Sequence, residues 1–379
     1  MKKDYCYDNL IIQHIIYIKG FEFTKMNDEH SNDEQSNNRT EMAKKVSIII
    51  PCRNEEKYIG KCMDSIVNSN YDKNFLELFV CDGLSDDGTE NIIKEYSEKY
   101  SFIKILKNEN RTTPFALNIG IKQSAGDIIL ILGSHAELSV DYIKKSVEIL
   151  ESDPTIGCAG GVLENIIEDA SFKAIANAMS SSFGVGNASF RTGSKEGFVD
   201  TVAFGAYKRK VFDKVGYFDE DLIRNQDDEF NFRLIKNNYK IYLSHSIKAK
   251  YYVRSSFSKL SKQYYQYGYW KVYANKKHNT ITTFRQLIPP FFVLFIILGL
   301  AASIFANLIL KVYLGGLLFY LLSAFVAASL ISAKFSEIPT IVFSFILLHC
   351  SYGSGYIAGS WDFYLINKKP SANSTQLTR

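Results

Sequence analysis

Two acidic segments of this chain concentrate residues able to do chemistry: Asp82-Gly83-Leu84-Ser85-Asp86-Asp87-Gly88-Thr89 and Gln226-Asp227-Asp228-Glu229. In the first, Asp82 closes an apolar run, where its carboxylate can accept hydrogen bonds from a base or ribose, and Gly83 and Gly88 permit tight backbone turns. The same octapeptide also reads as a plain helix-capping turn, since Ser and Asp are good N-caps. In the second, clustered acids suit a helix start through the macrodipole. A carboxylate there is equally a candidate general base for an attacking hydroxyl. Arg233 follows Glu229 at i,i+4 and can pair with it.

The elements that must hold these segments alternate strand and helix. Residues 46–51 (VSIIIP) are a short apolar, β-branched run of the kind buried in parallel sheets. Residues 55–68 form an amphipathic helix with Ile59, Met63, Ile66 and Val67 on one side. Strands follow at 76–81, 102–106 and 127–132, with helices at 89–100 and 114–124, the last opening on a tolerated proline. Four such units in order predict an α/β doubly wound sheet that binds ligands at its strand carboxyl ends. Residues 150–250 are less regular, with a strand at 202–208 and helical pieces at 211–219 and 227–236.

Residues 257–274 carry Phe257, Leu260, Tyr264, Tyr267, Trp270 and Ala274 at spacings of three and four, with Lys259, Lys262 and Lys271 off that stripe. Aromatics beside lysines predict a helix in the membrane interface, the alternative being a helix packed on the preceding domain. Three uncharged apolar stretches come next, 286–310, 312–333 and 338–361, each about the 20 residues that cross a bilayer. Pro289-Pro290 breaks or starts the first. No Asp or Glu occurs between Glu229 and Glu337, so the approach to these stretches is basic and suited to anionic headgroups. No nucleic-acid motif accompanies that charge. The six cysteines show neither CxxC pairing nor zinc spacing and read as reduced, structural residues. Residues 1–41 hold eight Asp/Glu against five Lys/Arg. Residues 27–41 lack an apolar face, so 1–43 is expected to be a disordered tail, with Met42 a possible true start. The expected organisation is then 44–255, 256–285, 286–361 and a polar tail at 362–379.

VSIIIPCRNEEKYI followed by DGLSDDGT closely resembles the amino-terminal half of family-2 glycosyltransferases of the GT-A fold. The resemblance covers about residues 44–255. Asn110-Arg111-Thr112-Thr113-Pro114 with Ala116-Leu117-Asn118-Ile119-Gly120, Gly133-Ser134-His135-Ala136, Gln226-Asp227-Asp228-Glu229 and Tyr267-Gly268-Tyr269-Trp270-Lys271 look like the succinoglycan-type glucosyltransferase branch, which extends lipid-linked sugars. The resemblance implies that Pro51, Arg53, Glu55 and Asp82 hold the nucleotide, and that Arg111, Asn118 and Ser134 lie near the diphosphate or donor sugar. It implies Asp227 as catalytic base, in a Glu-Asp-x-Glu motif whose first Glu is here Gln226. Gly205, Glu229, Arg233 and Trp270 would border the acceptor. Gln266-Tyr267-Gly268-Tyr269-Trp270 is reminiscent of the Gln-x-x-Arg-Trp motif of processive synthases, with Tyr269 in place of Arg.

The implied reaction is an in-line displacement at a sugar C1 that bears a nucleoside diphosphate. One carboxylate base suffices, the anomeric configuration inverts, and the departing charge needs a metal or cations. The family's Asp-x-Asp, or the nearer branch's Asp-x-His, is here Gly133-Ser134-His135. His135 would therefore bind Mn²⁺ or Mg²⁺ weakly with substrate oxygens, or would only hydrogen-bond near the diphosphate. The expected partners are a nucleotide-sugar, a UDP-sugar first, a lipid-linked saccharide acceptor and membrane lipids, with no nucleic acid. The expected location is a cell membrane, multi-pass, with the catalytic domain cytoplasmic. Two alternatives stay open: a polyprenyl-phosphate glycosyltransferase, and a catalytically silent homologue acting as a membrane partner.

Overall fold

The computed structural model describes residues 43–169, 172–253, 256–281 and 284–369. The expectations for the amino-terminal tail, for Cys6 and for the last ten residues lie outside this range.

The first half follows the alternation read from the sequence: β1 (Val46–Cys52), α1 (Ile59–Val67), β2 (Leu76–Asp82), α2 (Thr89–Lys99), β3 (Ile103–Lys107), α3 (Thr113–Gln123) and β4 (Ile128–Ile131). After β5 (Ala136–Leu138) and α4 (Tyr142–Ser152) comes β6 (Ile156–Ile166). Three short helices follow, α5 (Lys173–Met179), α6 (Ser182–Val185) and α7 (Ser189–Thr192), then β7 (Gly197–Val199), β8 (Ala203–Lys208), α8 (Arg209–Val215), α9 (Gln226–Lys236) and β9 (Lys240–Tyr252).

All nine strands form one sheet in the order β3-β2-β1-β4-β8-β6-β9-β5, with β7 also on β9. The β3-β2-β1-β4 block is parallel. β8 then runs antiparallel to both β4 and β6, so the sheet is mixed. Both faces are covered. Ile48 and Ile50 point into one apolar layer with Ile59, Met63 and Ile66 of α1, while Ile49 points into the other with Leu117 of α3 and Phe230 of α9. This period-two alternation, apolar on both faces, is what a doubly wound sheet demands. The arrangement is the GT-A architecture expected from the resemblance.

Four long helices complete the chain: α10 (Phe257–His278), α11 (Ile288–Ala302), α12 (Asn307–Ile331) and α13 (Ile338–Ser360), the last running into a wider turn at Trp361–Leu365. Pro289 and Pro290 open α11, where their missing N–H groups cost nothing. Three segments, Phe284–Ala302, Asn307–Ile331 and Phe335–Leu365, are long and apolar enough to cross a membrane.

These three are not equivalent. α11 and α12 form an antiparallel hairpin, with Gly299 against Tyr313 and Gly316 against Phe295. Most of its large apolar side chains are exposed, Ile304 and Phe305 at the tip more than four-fifths so. α13 instead runs parallel to α10, and Ser261 and Ser351 hydrogen-bond across the seam at 2.8 Å. Its first turns share an apolar cluster with Ala174 and Ile175 of α5, and Phe363 at its end packs among Trp270 and Tyr273. Both ends of α13 therefore lie against the globular domain.

Over 257–274, where the sequence left an interfacial helix and a domain-packed helix open, the structure has a helix packed against protein on one side. α10 buries Leu260, Tyr264, Gly268, Trp270, Lys271 and Asn275, wedged between the catalytic domain and α13. Trp270 is fully buried and anchors this packing.

Candidate active site

The loops after β1 and β2 are latched together. Asn54 exchanges two hydrogen bonds with Asp86, Nδ2 donating to Oδ1 at 2.7 Å and Oδ1 accepting from the Asp86 N–H at 3.0 Å. The Glu55 N–H donates to Thr89 Oγ1 at 2.8 Å. Asp82 is buried, and its carboxylate accepts from the Ser85 hydroxyl at 2.5 Å and the Ser85 N–H at 3.0 Å. Two carboxylate oxygens keep further lone pairs, so Asp82 can still receive a ligand's donors. A side chain at Gly83 would meet Arg53, the Cys52 carbonyl and the Arg111 backbone, which brings the two arginines to the edge of this cradle. Asn54, Leu84, Arg111, Phe204 and Asn225 all hold positive φ, between 51° and 61°. Such backbone strain collects where a ligand must be embraced.

A cavity of about 700 Å³ opens beside the cradle, within the size range of ligand sites. Pro51, Gly133, Gly205 and Asp227 line its domain side; Pro289, Phe292, Leu348 and Tyr352, from α11 and α13, line the far side. Asp227 faces this space. Burial in the surrounding protein, and then the neighbouring Asp228, push its carboxyl above the ordinary carboxylate range, while Lys271 pulls it back. Lys271 itself is ion-paired with Asp228. The loop before Asp227 is fastened to α10: Asn225 Nδ2 donates to the Tyr267 carbonyl at 2.9 Å, and Arg224 Nε to Gln266 Oε1 at 3.2 Å. Gln226 Oε1 is buried and accepts no hydrogen bond. A carboxylate with a raised pKa, in a cleft and held by fixed struts, is chemically suited to take a proton.

Other residues expected at the ligand have structural duties. Asn118 is buried, and both ends of its amide are spent: Nδ2 donates to the Phe218 carbonyl and to Glu220, both at 2.9 Å, and Oδ1 accepts from the Phe218 N–H at 3.0 Å. It braces residues 218–220. Glu229 and Arg233 pair as their spacing allows, at 2.7 and 2.8 Å, and His278 of α10 approaches the same carboxylate at 2.8 Å. Arg233 also donates to the Val215 and Tyr217 carbonyls. This buried cluster supports α9 from beneath and does not border the cavity. Tyr269, in the place of the processive motif's Arg, donates to Asp362 at 2.7 Å.

His135 Nδ1 lies 3.4 Å from Glu55 Oε1, is buried and makes no hydrogen bond. Ser134 beside it is buried. A Cβ at Gly133 would sit 2.9 Å from Phe204 Cε1, so the ring occupies the space a carboxylate would need. Among the described residues no three His, Cys, Asp or Glu side chains converge as a metal site.

Three contributors gave little or no sequence signal. Arg191 stands alone in a polar stretch, Phe204 marks no motif, and Lys271 ends the Tyr267–Lys271 segment with no role of its own attached; all three line the cavity.

The profile of glycosyl transferase family 2 matches residues 47–216. A transferase of Methanococcus voltae, the dolichyl N-acetyl-alpha-D-glucosaminyl phosphate 3-beta-D-2,3-diacetamido-2,3-dideoxy-beta-D-glucuronosyltransferase, is 34% identical over 323 residues, which span 83% of this chain and 96% of that protein. The chain belongs to glycosyltransferase family 2. Within this family the succinoglycan biosynthesis protein ExoA of Rhizobium meliloti (strain 1021) is 27% identical over 64% of this chain and 73% of its own length. A mannosyltransferase of Pyrobaculum calidifontis, solved with GDP-Man and Mn²⁺, shares the fold with a TM-score of 0.60 at 15% identity, over 92% of this chain and 94% of its own. This family-2 chain is thus a glycosyltransferase, whose GT-A domain carries three further helices of membrane-spanning length and hydropathy.

Proposed function

We propose that this enzyme transfers a sugar, with inversion, from a nucleotide-sugar to a saccharide carried on a polyprenyl phosphate or diphosphate. A UDP-sugar is the first donor to test. The observation that carries this reading is the shape of the cavity. One continuous space runs from Asp227 to the apolar side chains of Phe292, Leu348 and Tyr352. An amphiphile fits such a space, with its sugar hydroxyl at the base and its hydrocarbon among α11 and α13. The dolichyl-phosphate-linked saccharide named for the Methanococcus relative supports the same acceptor class. Asp227 favours a hydroxyl acceptor over a bare lipid phosphate, because a phosphate needs no base at neutral pH.

In this reading Asp82, Arg53 and Pro51 hold the nucleotide and Arg111 meets the diphosphate. Asp227 accepts the acceptor's proton as its oxygen attacks C1, and the nucleoside diphosphate leaves from the opposite face. A divalent ion would supply charge for that departure. The unpartnered Nδ1 of His135 and the Glu55 carboxylate fit as its two protein ligands, with the remaining positions left to substrate oxygens.

The enzyme acts at the cytoplasmic face of a membrane. The α11–α12 hairpin crosses it, and α13 lies along the domain, so Lys334 and Lys368 stay on the catalytic side, in keeping with the positive-inside tendency. The test is a donor screen: detergent-solubilised full-length protein, a panel of UDP-, GDP- and dTDP-sugars, and polyprenyl-phosphate-linked saccharides. Product formation only with a water-soluble saccharide would reject the lipid-linked acceptor.

A further inference from the structure

Several cations line the cavity, and among the described residues most are paired with a carboxylate or an amide oxygen. Arg285 donates to the Asn187 carbonyl at 3.1 Å and pairs with Asp200 at 3.0 Å. Lys271 pairs with Asp228, and Arg224 donates to Gln266. Arg191 differs. Its guanidinium lies over the rings of Phe190 and Tyr251, at 5.4 and 5.5 Å from their centroids, donates a hydrogen bond to Tyr251, and has Tyr264 and Tyr267 close by. Among the described residues no carboxylate pairs with it. One terminal nitrogen, Nη1, is buried and meets no hydrogen-bond acceptor.

A buried, unsatisfied N–H of a charged group is expensive, and structures retain one where a ligand completes it. The ring faces secure the guanidinium plane and leave its edge to bind. A planar fork of N–H donors matches the oxygens of a phosphate. Arg191 lines the same cavity as Asp227, and the apolar residues of α11 and α13 line it further on. The cavity therefore offers a base, a cation and a hydrocarbon-lined wall, the three parts of a saccharide, its phosphate and its lipid.

We propose that Arg191 is the docking residue for the acceptor's lipid-attached phosphate group. The inference rests on the lipid-linked acceptor reading above and adds the residue that recognises its anionic link. The donor diphosphate is the competing source of phosphate, and the test separates the two.

Binding is measured by calorimetry on the full-length protein in uncharged detergent, so no turnover is needed. The probes are geranylgeranyl phosphate, geranylgeraniol, inorganic phosphate and UDP. The wild type should bind geranylgeranyl phosphate more tightly than inorganic phosphate, which lacks the hydrocarbon, and at least about ten-fold more tightly than geranylgeraniol, the gain expected from a charge-assisted pair. Arg191→Gln should lose that advantage, Arg191→Lys should keep part of it, and both should bind UDP within two-fold of wild type, which also establishes that they fold. Wild-type affinity for geranylgeranyl phosphate in Arg191→Gln would overturn the proposal. So would an equal loss of UDP affinity, which would assign Arg191 to the donor, and so would inorganic phosphate binding as tightly as the lipid phosphate. A wild type that ignores geranylgeranyl phosphate altogether would instead reject the lipid-linked acceptor on which the proposal stands.

Discussion

Lys271, buried on α10, closes an ion pair on Asp228, the immediate neighbour of the cavity carboxylate Asp227. The helix that packs along α13 thus reaches the Asp227 end of the cavity and contributes to its electrostatics, beside the larger effect of burial. Asp228 raises the Asp227 pKa and Lys271 lowers it.

If Asp227 is the base, Asp227→Asn should lower transfer by about 100-fold or more while nucleotide affinity stays unchanged. The folded-state pKa of Asp227 is raised, so its charged form disfavours the fold, and that penalty is present above the folded pKa and relieved as pH falls through it. Asp227→Asn should therefore also raise the melting temperature at neutral pH. Wild-type turnover would remove Asp227 from the mechanism.

The acid limb of the pH–rate profile should sit above the ordinary carboxylate range, because the base works only when ionised. Lys271→Met should move that limb to higher pH, and Asp228→Asn to lower pH. The two shifts should be opposite in sign, as read from kcat/KM against pH. A common direction would show that the pair acts through structure alone.

Metal dependence should be weak and donor-assisted. Mn²⁺ affinity, followed by calorimetry, should rise strongly when nucleotide-sugar is present and fall in His135→Ala. Gly133→Asp alone should not tighten it, because the new Cβ would press on the Phe204 ring and cost about 1–3 kcal/mol of overpacking. Gly133→Asp with Phe204→Ala should bind Mn²⁺ more tightly. Full activity in excess EDTA after dialysis would exclude the ion.

Glu229→Gln should be severely destabilising, by about 3–5 kcal/mol, since it leaves Arg233 and His278 around a neutral group in a buried setting. Protease resistance of the solubilised protein reports this directly. A variant as stable as wild type would mean that the cluster carries no structural load.

Membrane arrangement is open to cysteine labelling. A cysteine at Ile304 should react with impermeant maleimide only from the side opposite the catalytic domain, and cysteines at Lys334 and Lys368 only from the catalytic side. Labelling of positions 334 and 368 from opposite sides would mean that α13 crosses the bilayer.

The parallel half of the sheet was legible because β1 and β2 are buried on both faces and so spell continuous apolar runs. β6 and β9, which complete the sheet, were not. β6 carries Gly157, Gly160 and Gly161, and glycine in a strand looks like a turn in sequence. Here it makes room for Tyr239, Val202 and the Ile247 carbonyl. β9 slips register near Ser244 as it passes β6, which breaks its alternation. At the site, the Gln226–Glu229 motif singled out Asp227, and the fold places that residue in the cavity lining. The bracing contacts of Asn118 were not legible, because a motif records that an amide is needed but not where its hydrogen bonds go. The burial of Trp270 was hidden for a related reason: an aromatic stripe looks the same whether it faces lipid or the partner helix α13.

Gly268, Gly355 and Gly359 let α10 and α13 meet backbone to backbone, where a Cβ on any of them would strike the opposing main chain. The helix that holds the Asp228 pair is thereby laminated to one that runs along the underside of the domain. The altitude of Asp227 above that underside is then a built constant. An acceptor tethered in lipid presents its terminal hydroxyl at a height set by how many sugars it already carries. On the lipid-linked reading proposed above, each addition would lift the new terminus past Asp227, and this fixed spacing would act as a ruler for glycan length.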